Sequence, residues 1–271
     1  MKKTISIILI LTTMFMAFPV FAASRRKDLK NDIGEGWKEY KSGHFIVYYH
    51  SDISIQYVKE FNRKCEKYYH TLTGRLGFNR YDFWLWEDRA KVLLYNTKKA
   101  YLEGSGRQEW SEASVHVKDR VIRTFYFDEN FFDIILPHEL THIVFREFIG
   151  CETVAPLWLD EGVACSSEKG NRNRYLLTAK KIIDTGMYLD IDQIERTFRA
   201  GKLGPDIFYP ISGALVIFLL EGKKTGKTKF VNFCRLLKNG ESFYVAMRKA
   251  YKLENSEMLK NAFLEYLNTV N

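Results

Sequence analysis

The chain has 271 residues, 46% hydrophobic and 27% charged, with a formal net charge of +8. That length suits one large domain or two closely packed lobes, and no repeat or low-complexity stretch interrupts it. The basic residues fall in short, separated clusters such as Arg25-Arg26-Lys27, Lys98-Lys99, Lys180-Lys181 and Lys223-Lys224, which argues for a solvated surface with weak contact to anionic envelope surfaces and against a nucleic-acid partner.

Residues 1–22 read as a signal peptide. Lys2 and Lys3 give the basic start, Ile5 to Phe21 is mostly apolar, and Val20-Phe21-Ala22 offers a processing site. Cleavage there would leave a soluble, exported chain, periplasmic or secreted, and would lower the formal charge from +8 to +6. An uncleaved anchor is the competing expectation, although the apolar run is short for a membrane span.

Residues 23–36 are charged and form a loose lead-in to a domain over 37–271, with a sheet-containing lobe at 37–128 and a helical lobe at 129–271. His44 to His50 has the aromatic and β-branched chemistry of a strand. From Ile53 to about Leu76 the apolar positions recur at helical spacing, with Gly74 and Gly77 punctuating the end. Lys91–Asn96 reads as a strand, and Thr97 caps a short helix through Leu102 that ends at a Gly104-Ser105-Gly106 turn. Ala113–Val117 and Val121–Tyr126 form a hairpin around Lys118-Asp119-Arg120.

The remainder is helical in character. Pro137 belongs in a first turn, so one helix starts near Ile134 and runs to about Phe148, and a second begins near Leu157. Further helices are expected at Tyr175–Ile183, Ile191–Thr197, Ile211–Leu220 (with Pro210 in the first turn), Lys229–Leu237, Ser242–Tyr251 and Ser256–Leu267. Strands first and helices afterwards make the fold class α+β, a mixed sheet leading into a mostly helical lobe.

Two motifs carry chemistry. His138-Glu139-Leu140-Thr141-His142 puts two imidazoles four residues apart, on one helix face, where both can reach one Zn²⁺; Glu139 beside them suits a general base. A bare motif of this kind arises by chance in roughly one chain in a hundred of this size, so its surroundings matter. It sits among Ile134, Ile135, Leu136, Leu140, Ile143, Val144 and Phe145, where unpartnered polar groups are costly to bury. A catalytic zinc takes three protein ligands and keeps one position open. Glu161, in Trp158-Leu159-Asp160-Glu161-Gly162 and 18 residues beyond His142, is the candidate third ligand.

Together these motifs resemble the gluzincin zinc metallopeptidases, and the element order is similar to that of the bacterial peptidase-MA-like family. Only His138–His142 and Pro156–Ala164 are specific as motifs. The resemblance implies an exported metallopeptidase with one Zn²⁺ on His138, His142 and Glu161 at the junction of the two lobes. It implies Glu139 as general base and a helical-lobe side chain, here Tyr209, as oxyanion donor. The alternative is a catalytically idle gluzincin fold serving as a binding or assembly module of the cell envelope. Asp160 and Glu168 are expected to support the histidines, Glu168 from two turns along the same helix face as Glu161. Family aminopeptidases clamp a free amino terminus with a signature upstream of the histidines. Trp110-Ser111-Glu112-Ala113-Ser114 lacks it, so the expected substrate is a peptide or protein cut at internal bonds. His44, His50, His70 and His116 are read as ordinary residues. Among the four cysteines, Cys165 is expected to be a buried free thiol facing the metal helix, and the pairing of Cys65, Cys151 and Cys234 stays open.

Overall fold

A computed structural model describes residues 33–78, 88–109, 111–126, 129–185, 191–195, 203–222 and 226–270. The expected signal peptide, the lead-in up to residue 32 and Trp110 lie outside the described residues. The fold is α+β. The strands β1 (Trp37–Lys41), β2 (Phe45–His50), β3 (Ala90–Tyr95), β4 (Ala113–His116) and β5 (Val121–Phe125) form one five-stranded sheet in the order β1-β2-β3-β5-β4. Strands β2, β3 and β5 run parallel, while β1 and β4 pair antiparallel at the two edges.

Side chains alternate across the sheet with a period of two, and each face finds its own cover. Val92 and Leu94 of β3 join the main core, whereas Leu93 and Tyr95 turn to a smaller cluster with Tyr101, Val121 and Phe125. Helix α1 (Ile55–Leu76) crosses over between β2 and β3, and its Val58, Phe61, Cys65 and Leu72 fill the main core. It starts on the Ser54 hydroxyl, which accepts from the Tyr57 N–H, and stops where Gly77 takes φ +80°. Helix α2 (Lys98–Ser105) lies on the other face. Thr97 caps it as expected, but it runs through Gly104 to Ser105, three residues past the expected end at Leu102, and is capped by Gly106.

Helices make up the rest: α3 (Glu129–Asp133), α4 (Ile135–Ile149), α5 (Leu157–Ser167), α6 (Arg172–Asp184), α7 (Ile191–Glu195), α8 (Pro205–Glu221), α9 (Lys227–Lys238), α10 (Phe243–Tyr251) and α11 (Ser256–Asn268). Three details depart from expectation. The first strand and α3 are additional. Helix α8 begins six residues early: Pro205, not Pro210, occupies its first turn, and Pro210 lies inside the helix. The apolar run either side of Pro210 is buried against α5 and α6, so tertiary packing outweighs the one backbone hydrogen bond that the proline removes. Helix α5 ends at Ser167, so Glu168 is its extended cap residue and not a continuation of its face.

All four cysteines are free, with Cys65, Cys165 and Cys234 buried. Among the described residues, no helix is long and apolar enough to cross a membrane.

Candidate metal centre

Helices α4 and α5 pack closely, and nearly every residue of both is buried. On its other side α5 packs closely on α8, because Gly162 presents no side chain: a Cβ there would meet the Ser212 backbone oxygen of α8 at 2.4 Å. Glu161 lies buried beside the two α4 histidines, which stand one turn apart with ring centroids 5.0 Å apart.

The ε nitrogens of both histidines converge on one carboxylate oxygen. His138 Nε2 lies 3.6 Å and His142 Nε2 lies 3.7 Å from Glu161 Oε2. These separations are too long for hydrogen bonds. They are close to the roughly 3.3 Å that two ligands keep across a tetrahedral zinc with bonds of about 2.0–2.1 Å. One ligand atom from each residue falls within 4.8 Å of the others. Both ε nitrogens are buried without a hydrogen-bond partner, as are both oxygens of Glu139, an arrangement that costs several kcal/mol unless a cation satisfies it.

The δ nitrogens face the other way, each toward a carboxylate. His138 Nδ1 is 3.0 Å from Glu168 Oε1, and His142 Nδ1 is 3.5 Å from Asp160 Oδ1. The Glu168 partner fixes the His138 tautomer that leaves Nε2 free for a metal, while Asp160 Oδ1 faces His142 Nδ1 without forming a hydrogen bond. Asp160 and Glu168 therefore stand where the sequence suggested, although Glu168 arrives from the helix cap. These carboxylates are anchored in turn. Arg146 donates to Asp160 Oδ2 at 3.1–3.2 Å, and the Tyr175 hydroxyl donates to Glu168 Oε2 at 2.7 Å, with the Asn171 amide on the same oxygen. Sequence reasoning missed Arg146, Asn171 and the role of Tyr175. A helical spacing of four from His142 to Arg146 was the one signal available.

Four carboxylates gather around the two histidines. Glu139, Asp160, Glu161 and Glu168 are all buried to within 4% of full burial. Among the described residues, Arg146 pairs with Asp160, and the half-exposed Arg174 lies 3.7 Å from Glu168. Burial raises the Glu139 carboxyl above its ordinary range, although His138, His142 and Arg107 pull it down. Asp160 goes the opposite way: burial favours its neutral form, but Arg146 and His142 outweigh burial and draw it to about 2. A divalent cation between His138, His142 and Glu161 fits this donor set and this charge.

A second grouping shares His138 with Cys165 and Glu168. It suits a metal less well. Burial pushes the Cys165 thiol up to about 11, against the thiolate that a metal needs, and Glu168 is already occupied by His138, Tyr175 and Asn171. Cys165 is the buried free thiol facing the metal helix that its spacing from Glu161 suggested.

Tyr209 lies within α8, packed against Phe208, rather than just ahead of a helix. It is one turn before Ser212, whose carbonyl abuts Gly162. His116 ends β4 on the surface, 3.0 Å from Asp119, and takes no part in the site. Ser111, ahead of β4, is buried with its hydroxyl 2.7 Å from that of Tyr101. Against protein-family models and against curated proteins, the chain finds no match.

Proposed function

We propose that this chain is an exported zinc-dependent metallopeptidase that cuts internal peptide bonds. The observation that carries the proposal is the convergence of two hydrogen-bond-free histidine ε nitrogens on Glu161, with each δ nitrogen facing a buried carboxylate. His138, His142 and Glu161 would hold one Zn²⁺. When bound, zinc supplies a Lewis acid and lowers the pKa of its water towards ~7.

Glu139 is the group that moves the proton. It neighbours the first histidine without joining the ligand set, and its oxygens have no other hydrogen-bond partner. That position suits a base that accepts a proton from the attacking water and returns it to the leaving nitrogen. Tyr209 is assigned to the developing oxyanion on the family resemblance. Internal cleavage follows from the lack of an amino-terminal clamp around Glu112, whose backbone carbonyl instead accepts from Thr124 beside the edge strand.

One observation favours the alternative, a catalytically idle module: all three ligands are buried, as in structural zinc sites. Glu139 argues against it, because a structural metal has no use for a buried carboxylate without a partner. Zinc analysis combined with turnover of an unstructured protein separates the two. Wild type should carry about one zinc per chain and release internal fragments from an amino-terminally blocked substrate. Glu139→Gln should keep its zinc while turnover falls on the order of 10²–10⁴-fold. Equal turnover in Glu139→Gln would refute the mechanism, and full zinc retention in a His138→Ala/His142→Ala variant would refute the site.

A further inference from the structure

A second histidine–carboxylate group stands at the surface, where α1 meets the segment that leads into β2. Glu66 and His70 are four residues apart on α1, and so share a face. His44, the residue before β2, meets them from the neighbouring chain segment. One ligand atom each from His44, Glu66 and His70 lies within 4.8 Å of the others. The trio is open to water: the side chains of His44 and Glu66 are 19% and 21% exposed, and His70 is exposed.

We infer that His44, Glu66 and His70 form a second metal site, which takes one exchangeable divalent ion of the zinc and copper class. Imidazole with carboxylate is the donor set those ions favour, and three protein ligands leave the remaining positions to water. The two rings stand edge to face, with centroids 5.2 Å apart and planes at 88°. The buried pair His138 and His142 has nearly the same arrangement, at 5.0 Å and 76°.

Two of the three ligands are already positioned. Glu66 Oε1 accepts from the Ser42 hydroxyl at 2.6 Å and from the His44 N–H at 2.9 Å, while the His44 ring stacks on Tyr69. These hydrogen bonds fix the Glu66 carboxylate against the His44 segment. His44 Nδ1 and Glu66 Oε2 are 2.6 Å apart, a hydrogen-bond distance with a proton between them. A metal would replace that proton, releasing it to solvent, and would widen the pair to roughly 3.3 Å. A histidine–carboxylate ion pair alone would have no need of His70.

The test uses the full chain with its first metal loaded. Calorimetric titration with Zn²⁺ in two buffers of different ionisation enthalpy should find one further, weaker equivalent whose binding releases protons. His70→Ala, at an exposed helix position, should fold normally and weaken that equivalent by at least about tenfold, since losing even an outer-sphere partner costs on the order of 10–100-fold. Cu²⁺ bound at this site should show two-imidazole hyperfine structure by electron paramagnetic resonance, reduced to one in His70→Ala. The buried equivalent should be unchanged in the same variant, so failure here is distinct from failure of the peptidase reading. No further zinc uptake, or uptake indifferent to His70→Ala and His44→Gln, would overturn the inference.

Discussion

Glu168 illustrates how much of this site lies one residue beyond its histidines and Glu161. Its Oε1 faces His138 Nδ1, and its Oε2 is already taken by Tyr175 and Asn171. The carboxylate is thus aimed, and through it the imidazole. Glu168→Gln keeps the size of the group but removes the charge that favours Nδ1–H. Zinc affinity, read by competition with a chromophoric chelator, should fall on the order of 10–100-fold. Tyr175→Phe leaves that charge in place and should have a smaller effect. Unchanged affinity in Glu168→Gln would reduce Glu168 to a buried ion-pair partner with no bearing on the metal. This residue also marks a limit of sequence reading. Its spacing from Glu161 suggested a shared helix face, whereas its place beside His138 has another origin: the helix ends, and Glu168 is its extended cap.

At the scale of elements, the α5–α8 packing depends on one missing side chain. Gly162→Ala would place a Cβ 2.4 Å from the Ser212 carbonyl and 2.7 Å from Val216. A backbone oxygen cannot rotate aside, so two helices must part. The cost should be about 1–3 kcal/mol in urea unfolding, after offsetting the roughly 0.5–1 kcal/mol that Ala regains over Gly in a helix. Gly213→Ala, whose nearest contacts are Tyr175 and Cys165 at 3.1 and 3.2 Å, should cost less. The Arg146–Asp160 pair, which joins α4 to α5, has a pH signature. Asp160 is depressed from 3.8 to about 2 in the folded state, so its stabilisation is complete above pH 3.8 and is lost as pH falls towards 2. The stability difference between wild type and Asp160→Asn should therefore shrink by on the order of 2 kcal/mol across that window. A constant difference would remove the charge of Asp160 from the explanation. Local signals gave most element positions here: helical spacing found α1 and α4, and Thr97 found the start of α2. They failed where context decides. Strand β1, Trp-Lys-Glu-Tyr-Lys, is a charged edge whose pairing with β2 supplies its only regularity. Pro210 looked like a helix start because its tertiary cover is invisible in sequence.

For the whole molecule, the metal is a question of charge before it is one of chemistry. Histidine spacing made His138 and His142 legible, and Glu161 became so through its apolar frame. The sequence did not disclose that Glu139, Asp160, Glu161 and Glu168 would all be buried around them, because that gathering depends on how α4, α5 and α6 pack. With Arg146 the principal cation among them, the metal-free protein must neutralise the excess with protons, at a cost to folding. Metal that binds only the folded chain should then raise stability strongly, by about 4 kcal/mol at a thousandfold excess over its dissociation constant. For a chain of this size, with about 2–4 °C of melting temperature per kcal/mol, chelation should lower Tm by roughly 8–16 °C. Restoring zinc should reverse the loss. In His142→Ala neither treatment should shift Tm by more than the weaker surface site can supply, and His70→Ala should respond as wild type does. A wild-type Tm indifferent to chelation, in protein shown to have lost its zinc, would mean that protons balance the buried carboxylates unaided and that the fold does not need the cation.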